Sequence, residues 1–149
     1  APSPAPAAPA ATGASYPFKV TLNDCAASPF VEATVLAAAR QAYDAVLNSN
    51  CIGSPELKEA ILKEFNDLDI DCEQGDETSP CGSAHRYFTE TINLFPKSMN
   101  PSRCGPLAST ILHEVIHLTE WSLGGHGVLA DACEKSCFGY GSGNAADCK

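Results

Sequence analysis

The chain has 149 residues, 44% of them hydrophobic, enough for one compact domain with a buried core. Only 18% are charged, and Lys+Arg 9 against Asp+Glu 18 leaves a formal net charge of −9. That balance excludes nucleic acid and anionic membrane surface as partners, and no stretch approaches the length of a transmembrane span.

Cys25, Cys51, Cys72, Cys81, Cys104, Cys133, Cys137 and Cys148 are spread along the chain, even in number and with no CxxC pair. That spacing argues against a finger-type zinc cluster and for up to four disulfides in an oxidising compartment. Cys133 and Cys137 lie one helical turn apart and are expected to bridge to different partners. The start at Ala1 rather than Met reads as a mature secreted form that has lost a signal peptide.

Residues 1–15, rich in Pro and Ala, read as a flexible or PPII-like tail or linker. Residues 16–149 read as a single domain. Tyr16 to Asn23 suggests a short strand. Ser28-Pro29 carries a helix-start signal, and Val31, Val35, Ala38, Ala42 and Val46 predict an amphipathic helix from Phe30 to Asn48. Ser54-Pro55 repeats the start signal ahead of a second helix carrying Leu57, Ile61 and Phe65. Asp67 to Cys72 predicts a short strand, and Glu73 to Gly82 a loop.

His85 to Phe95, dense in aromatic and β-branched residues (Tyr87, Phe88, Thr89, Thr91, Ile92), predicts one further strand. Gly105-Pro106 opens a helix through about Trp121. Ser122 to Gly127 breaks it, and Val128 to Phe138 predicts the last helix.

The informative segment is His113-Glu114-Val115-Ile116-His117, an HExxH motif. Residues four apart on a helix differ by roughly 40° and about 6 Å along the axis, so both imidazoles can converge on one ion. Glu114 lies roughly 100° round, placed to act on a water at the metal rather than to ligate it. From this chain's His and Glu content, chance would produce the motif on the order of once in a hundred such sequences. Leu107, Ile111, Val115 and Leu118 form an apolar stripe, and Leu112 and Ile116 add a second, so the helix is expected to be buried. Imidazoles and a carboxylate inside a buried helix are costly unless something satisfies them.

A catalytic zinc takes three protein ligands and keeps one position open. Glu120 lies roughly 10 Å along the axis from His113, too far to share its ion, and reads as supporting or surface. Glu134, a long acid one turn into the last helix, is the preferred third ligand. Asp131 on the same helix and His126 in the glycine-rich break are the alternatives.

With HExxH on a buried helix, the chain resembles the zincin superfamily of metallopeptidases. The order strand, HExxH helix, glycine turn, second helix looks like a minimal zincin core. The metzincin pattern would place a glycine at position 120 and a histidine at position 123, where this chain has Glu120 and Leu123. The gluzincin pattern, a glutamate on a following helix, is similar at Glu134. The aspzincin pattern, GTxD with a tyrosine three residues on, departs at Asp131, which lacks the Gly-Thr and has Glu134 in place of the tyrosine. Tyr140 is a candidate oxyanion donor.

The resemblance implies an α+β fold: a minimal zincin-like domain with a small mixed sheet packed on helices, stabilised by disulfides. It implies a secreted, monomeric zinc endopeptidase with Zn2+ on His113, His117 and Glu134, and Glu114 as general base toward the zinc-bound water. A protein or peptide substrate would add to the 85–95 strand, the edge strand by that likeness. The alternative reading is a non-catalytic secreted binding module on the same scaffold.

Overall fold

The computed structural model describes residues 16–86, 90–122 and 127–149. The expected tail at 1–15 lies outside the described residues. The fold is α+β: among the described residues, a small mixed sheet with five α-helices and four disulfides. In chain order these are β1 (Lys19–Asn23), α1 (Glu32–Asn48), α2 (Pro55–Glu64), β2 (Asp67–Cys72), β3 (Gly82–Arg86), β4 (Glu90–Leu94), α3 (Pro101–Cys104), α4 (Leu107–Ser122) and α5 (Val128–Phe138).

Alternation decides the sheet's faces. In β2, Leu68, Ile70 and Cys72 are buried, while Asp67, Asp69 and Asp71 take the other face. The strand order is β1-β2-β4-β3; β1, β2 and β4 are parallel, and β3 runs antiparallel at one edge. Parallel β1 and β2 require a crossover, which α1 and α2 supply. Ile70 lies beside Ile92 and Cys72 beside Leu94, forming the apolar floor under the helices.

Helix α1 packs on α4. Its buried face is largely alanine (Ala38, Ala39, Ala42), which lets the two axes approach closely. Ile111, Leu112, Val115, Ile116 and Leu118 of α4 are fully buried, as the two apolar stripes require.

Two local expectations change and one holds. Helix α1 begins at Glu32, and Ser28-Pro29 precedes it as a cis peptide, so Val31 stands at the N-cap and is half exposed. Ser54 does cap α2, accepting from Leu57 N–H at 3.2 Å with Pro55 in the first turn. The single strand expected over 85–95 is instead a hairpin. β3 and β4 pair antiparallel, from Gly82 beside Leu94 to Arg86 beside Glu90, so β4 is interior and β3, starting in the expected loop at Gly82, is the edge. Composition marked the region as β but not the reversal, and Tyr87, Phe88 and Thr89 lie outside the described residues.

The disulfides are Cys25–Cys72, Cys51–Cys137, Cys81–Cys104 and Cys133–Cys148, so Cys133 and Cys137 do take different partners. Two of the four anchor α5, and Ser136 Oγ adds a hydrogen bond to Cys51 O at 2.7 Å. Such a framework assigns the chain to an oxidising compartment. Among the described residues no helix is long and apolar enough to cross a membrane.

Cys133–Cys148 spans 15 residues. Loop-closure entropy for that span is worth about 3 kcal/mol. The double substitution Cys133→Ala, Cys148→Ala should lower unfolding free energy by about that amount in urea titrations, through loosening of α5 and the C-terminal segment.

Candidate metal centre

Helix α4 places Ser109, His113 and His117 at successive four-residue steps, one stripe facing α5. His113 Nε2 and His117 Nε2 lie 3.2 Å apart. Two nitrogens bound to one tetrahedral zinc at 2.0–2.1 Å would be separated by about 3.3 Å. The facing imidazoles have a spacing that fits either an N–H···N hydrogen bond or a shared ion, and imidazole donors suit zinc, copper, iron and nickel.

The other side of His113 belongs to α5. His113 Nδ1 is 2.8 Å from Glu134 Oε1, and Ser109 Oγ donates to Glu134 Oε2 at 2.5 Å. Asp131 Oδ1 stands 3.7 Å from the same Nδ1. His113, Asp131 and Glu134 form one group whose potential ligand atoms lie within 4.8 Å of one another. Two ligands of one tetrahedral zinc would stand about 3.3 Å apart, so the 2.8 Å contact at Nδ1 has the length of a hydrogen bond.

Of the expected ligands, then, the fold brings His113 and His117 together through Nε2. Glu134 it brings to the opposite nitrogen of His113. Asp131 is 59% exposed and, among the described residues, makes no side-chain hydrogen bond. His126 lies outside the described residues.

Glu114 projects from α4 toward β3 into a cleft of about 270 Å³, lined also by His113, Glu134, Thr110, Cys81 and Tyr140. Gly82 makes this possible: a Cβ there would stand 3.0 Å from Glu114 Cγ and 2.9 Å from Asn93 O. Burial pushes the Glu114 carboxyl up to about 7; His113 opposes the shift, while the negative charges of Glu134 and Asp131 add to it. Burial disfavours the His113 imidazolium, but the Glu134 hydrogen bond and the charges of Glu114, Glu134 and Asp131 outweigh it and raise the pKa. His117 is lowered, by burial first and by His113 second.

The remaining candidates have structural work. Glu120 is 2% exposed rather than on the surface, and its Oε2 accepts from Leu129 N–H at 3.2 Å in the first turn of α5. That caps a helix N-terminus with a carboxylate, a favourable dipole interaction. Tyr140 forms a cleft wall with its ring against Gly105, where a Cβ would lie 2.7 Å from the ring and φ is +74°. Its hydroxyl donates to Arg103 O at 3.3 Å, so it is engaged at α3.

Sequence reasoning missed Ser109, Gly82 and the Cys81–Cys104 staple. Ser109 had one available signal, its place one turn before His113. The staple joins the start of β3 to the entrance of α4, fixing two walls of the cleft. No known protein family, curated protein or solved structure matches the chain.

Trp121, the only tryptophan, stacks on His117 at 6.1 Å between centroids and 24° between planes. Titrating Co2+ should quench its fluorescence saturably at one equivalent. A chelator should restore the signal, and His117→Ala should abolish the effect.

Proposed function

We propose that the protein is a secreted zinc-dependent endopeptidase, with His113 and His117 as ligands through Nε2 and Glu114 as general base. The observation that carries this reading is the 3.2 Å approach of the two Nε2 atoms on the helix that also carries the buried Glu114 of the cleft. Glu134 is engaged by Ser109 and His113 Nδ1, and Asp131 Oδ1 stands 3.7 Å from that same Nδ1, so the zinc content of Asp131→Ala and His126→Ala variants decides the third ligand.

Zinc bound there would supply Lewis acidity, lowering the pKa of water and polarising a carbonyl. Glu114 takes the proton from the attacking water and delivers it to the leaving amine. Burial raises this carboxyl to about 7 in the metal-free protein; a zinc ion beside it would draw the value down and favour the ionised form that accepts the proton. Gly82 keeps the space beside Glu114 open, and the cleft walls limit its solvation.

Substrate recognition belongs to β3 rather than to the whole 85–95 segment. Phe95 N–H bonds Cys81 O at 3.1 Å, which makes Cys81 and Phe95 a hydrogen-bonded pair. By alternation Ser83 and His85 also face β4, while the N–H and C=O groups of Gly82 and Ala84 point to the free edge. An extended peptide can add there, one residue from Glu114's neighbour Gly82.

The deciding experiment pairs metal analysis by mass spectrometry with a peptide-cleavage assay. One zinc per chain is expected, reduced by His113→Ala and His117→Ala, and by whichever of Asp131→Ala and His126→Ala removes the third ligand. Glu114→Gln should keep zinc and fold while cleavage falls by about 10²–10⁴-fold. Normal cleavage by that variant would sink the mechanism, and a wild type without zinc after reloading would sink the reading.

Ala84→Pro removes an outward N–H without breaking the β3–β4 ladder. It should lower kcat/KM for peptide substrates chiefly through KM, leaving zinc content unchanged.

A further inference from the structure

We infer that Glu134 is a positioning residue that holds His113 in the Nδ1–H tautomer and thereby turns its Nε2 lone pair toward His117. The inference takes its functional meaning from the zinc reading above, but it concerns the protein's own hydrogen bonds and can be read without metal.

The chain of donors and acceptors has one direction. Ser109 Oγ, fully buried, donates to Glu134 Oε2 at 2.5 Å. An ionised carboxylate only accepts, so the 2.8 Å contact at Glu134 Oε1 takes a proton from His113 Nδ1. A neutral imidazole carries one N–H, so His113 Nε2 is left as the acceptor. It faces His117 Nε2 at 3.2 Å, and without metal His117 must be the donor of that pair. The carboxylate thus determines, through two rings, which nitrogens are available to a cation.

Its position is fixed from several sides. Glu134 is 7% exposed, and its helix is held by the disulfides of Cys133 and Cys137 on either side of it. Leaving this place to ligate an ion directly would strip the buried Ser109 hydroxyl and His113 Nδ1 of their partner. Carboxylates on the distal nitrogen of a metal-binding histidine fix ring orientation, and their loss costs about 10–100-fold in metal affinity.

The test is long-range ¹H–¹⁵N correlation of the imidazoles in metal-free, ¹⁵N-labelled protein, at a pH where they are neutral. His113 should be the Nδ1–H tautomer and His117 the Nε2–H tautomer. Adding zinc should leave His113 unchanged and convert His117 to Nδ1–H. Glu134→Ala should lose the His113 preference and weaken zinc binding about 10–100-fold in chelator competition. Glu134→Gln should restore most of both, because its amide oxygen accepts from Nδ1–H and its amide nitrogen donates to Ser109 Oγ. Backbone amide dispersion checks that each variant is folded.

An Nε2–H tautomer at His113 in the folded wild type overturns the inference, with no variant needed. So does a Glu134→Gln protein as weak as Glu134→Ala, the result expected of a direct carboxylate ligand. A wild type that takes up no zinc overturns the proposed function instead, while the tautomer result still decides the role of Glu134.

Discussion

The docking of α5 against α4 is the constraint on which the site depends, and a buried carboxylate stands at its centre. Helix α4 is apolar on most of its surface, yet one stripe carries Ser109, His113 and His117. Those groups need partners inside the protein, because an unpaired buried polar group costs about 1–3 kcal/mol. Glu134 answers two of them at once, and Glu120 answers in the other direction by capping α5 from α4. The two helices therefore exchange carboxylates: α5 lends one to the stripe, and α4 lends one to the α5 N-terminus. Neither helix satisfies its polar groups without the other.

That exchange explains the placing of the cystines. A helix of eleven residues packed on α4 and on the short C-terminal turn at Ala145–Asp147 has little apolar area of its own. Cys133–Cys148 and Cys51–Cys137 supply the restraint that a larger core would otherwise provide. Cys81–Cys104 does the same across the cleft, holding edge strand β3 to the segment that enters α4. The short chain thus uses covalent links at the walls of the site, where a longer one could use a second layer of packing.

Much of this was legible in the sequence because it is written in short-range patterns. The period of Leu107, Ile111, Val115 and Leu118 announced a buried helix; Ser54-Pro55 announced a cap, and Leu68 and Ile70 between aspartates announced a strand. What the patterns did not carry depended on distant partners. The reversal after Arg86 turns on which neighbour each strand finds, and β composition reads alike for one long strand and two short ones. Spacing brought Glu134 toward the histidines but could not say which nitrogen of His113 it would meet. That depends on the rotation of α5 about its axis, set by Cys133, Cys137 and Ser136 through partners as distant as Cys51. Glu120 read as supporting or surface, and only the return of α5 over it shows the cap.

The same geometry bears on the choice between an enzyme and a non-catalytic binding module. A closed structural site saturates its ion and has no use for an acid held beside it in an open cleft. Here Glu114 is buried at 6% exposure, its pKa is raised, and Gly82 leaves the room that any side chain there would have filled. Keeping a carboxylate partly desolvated costs stability, and a module that only binds would gain by replacing it with an apolar residue. On the proposed reading the cost is intelligible, because Glu114 there accepts a proton from water and returns it to the leaving amine of a peptide along β3.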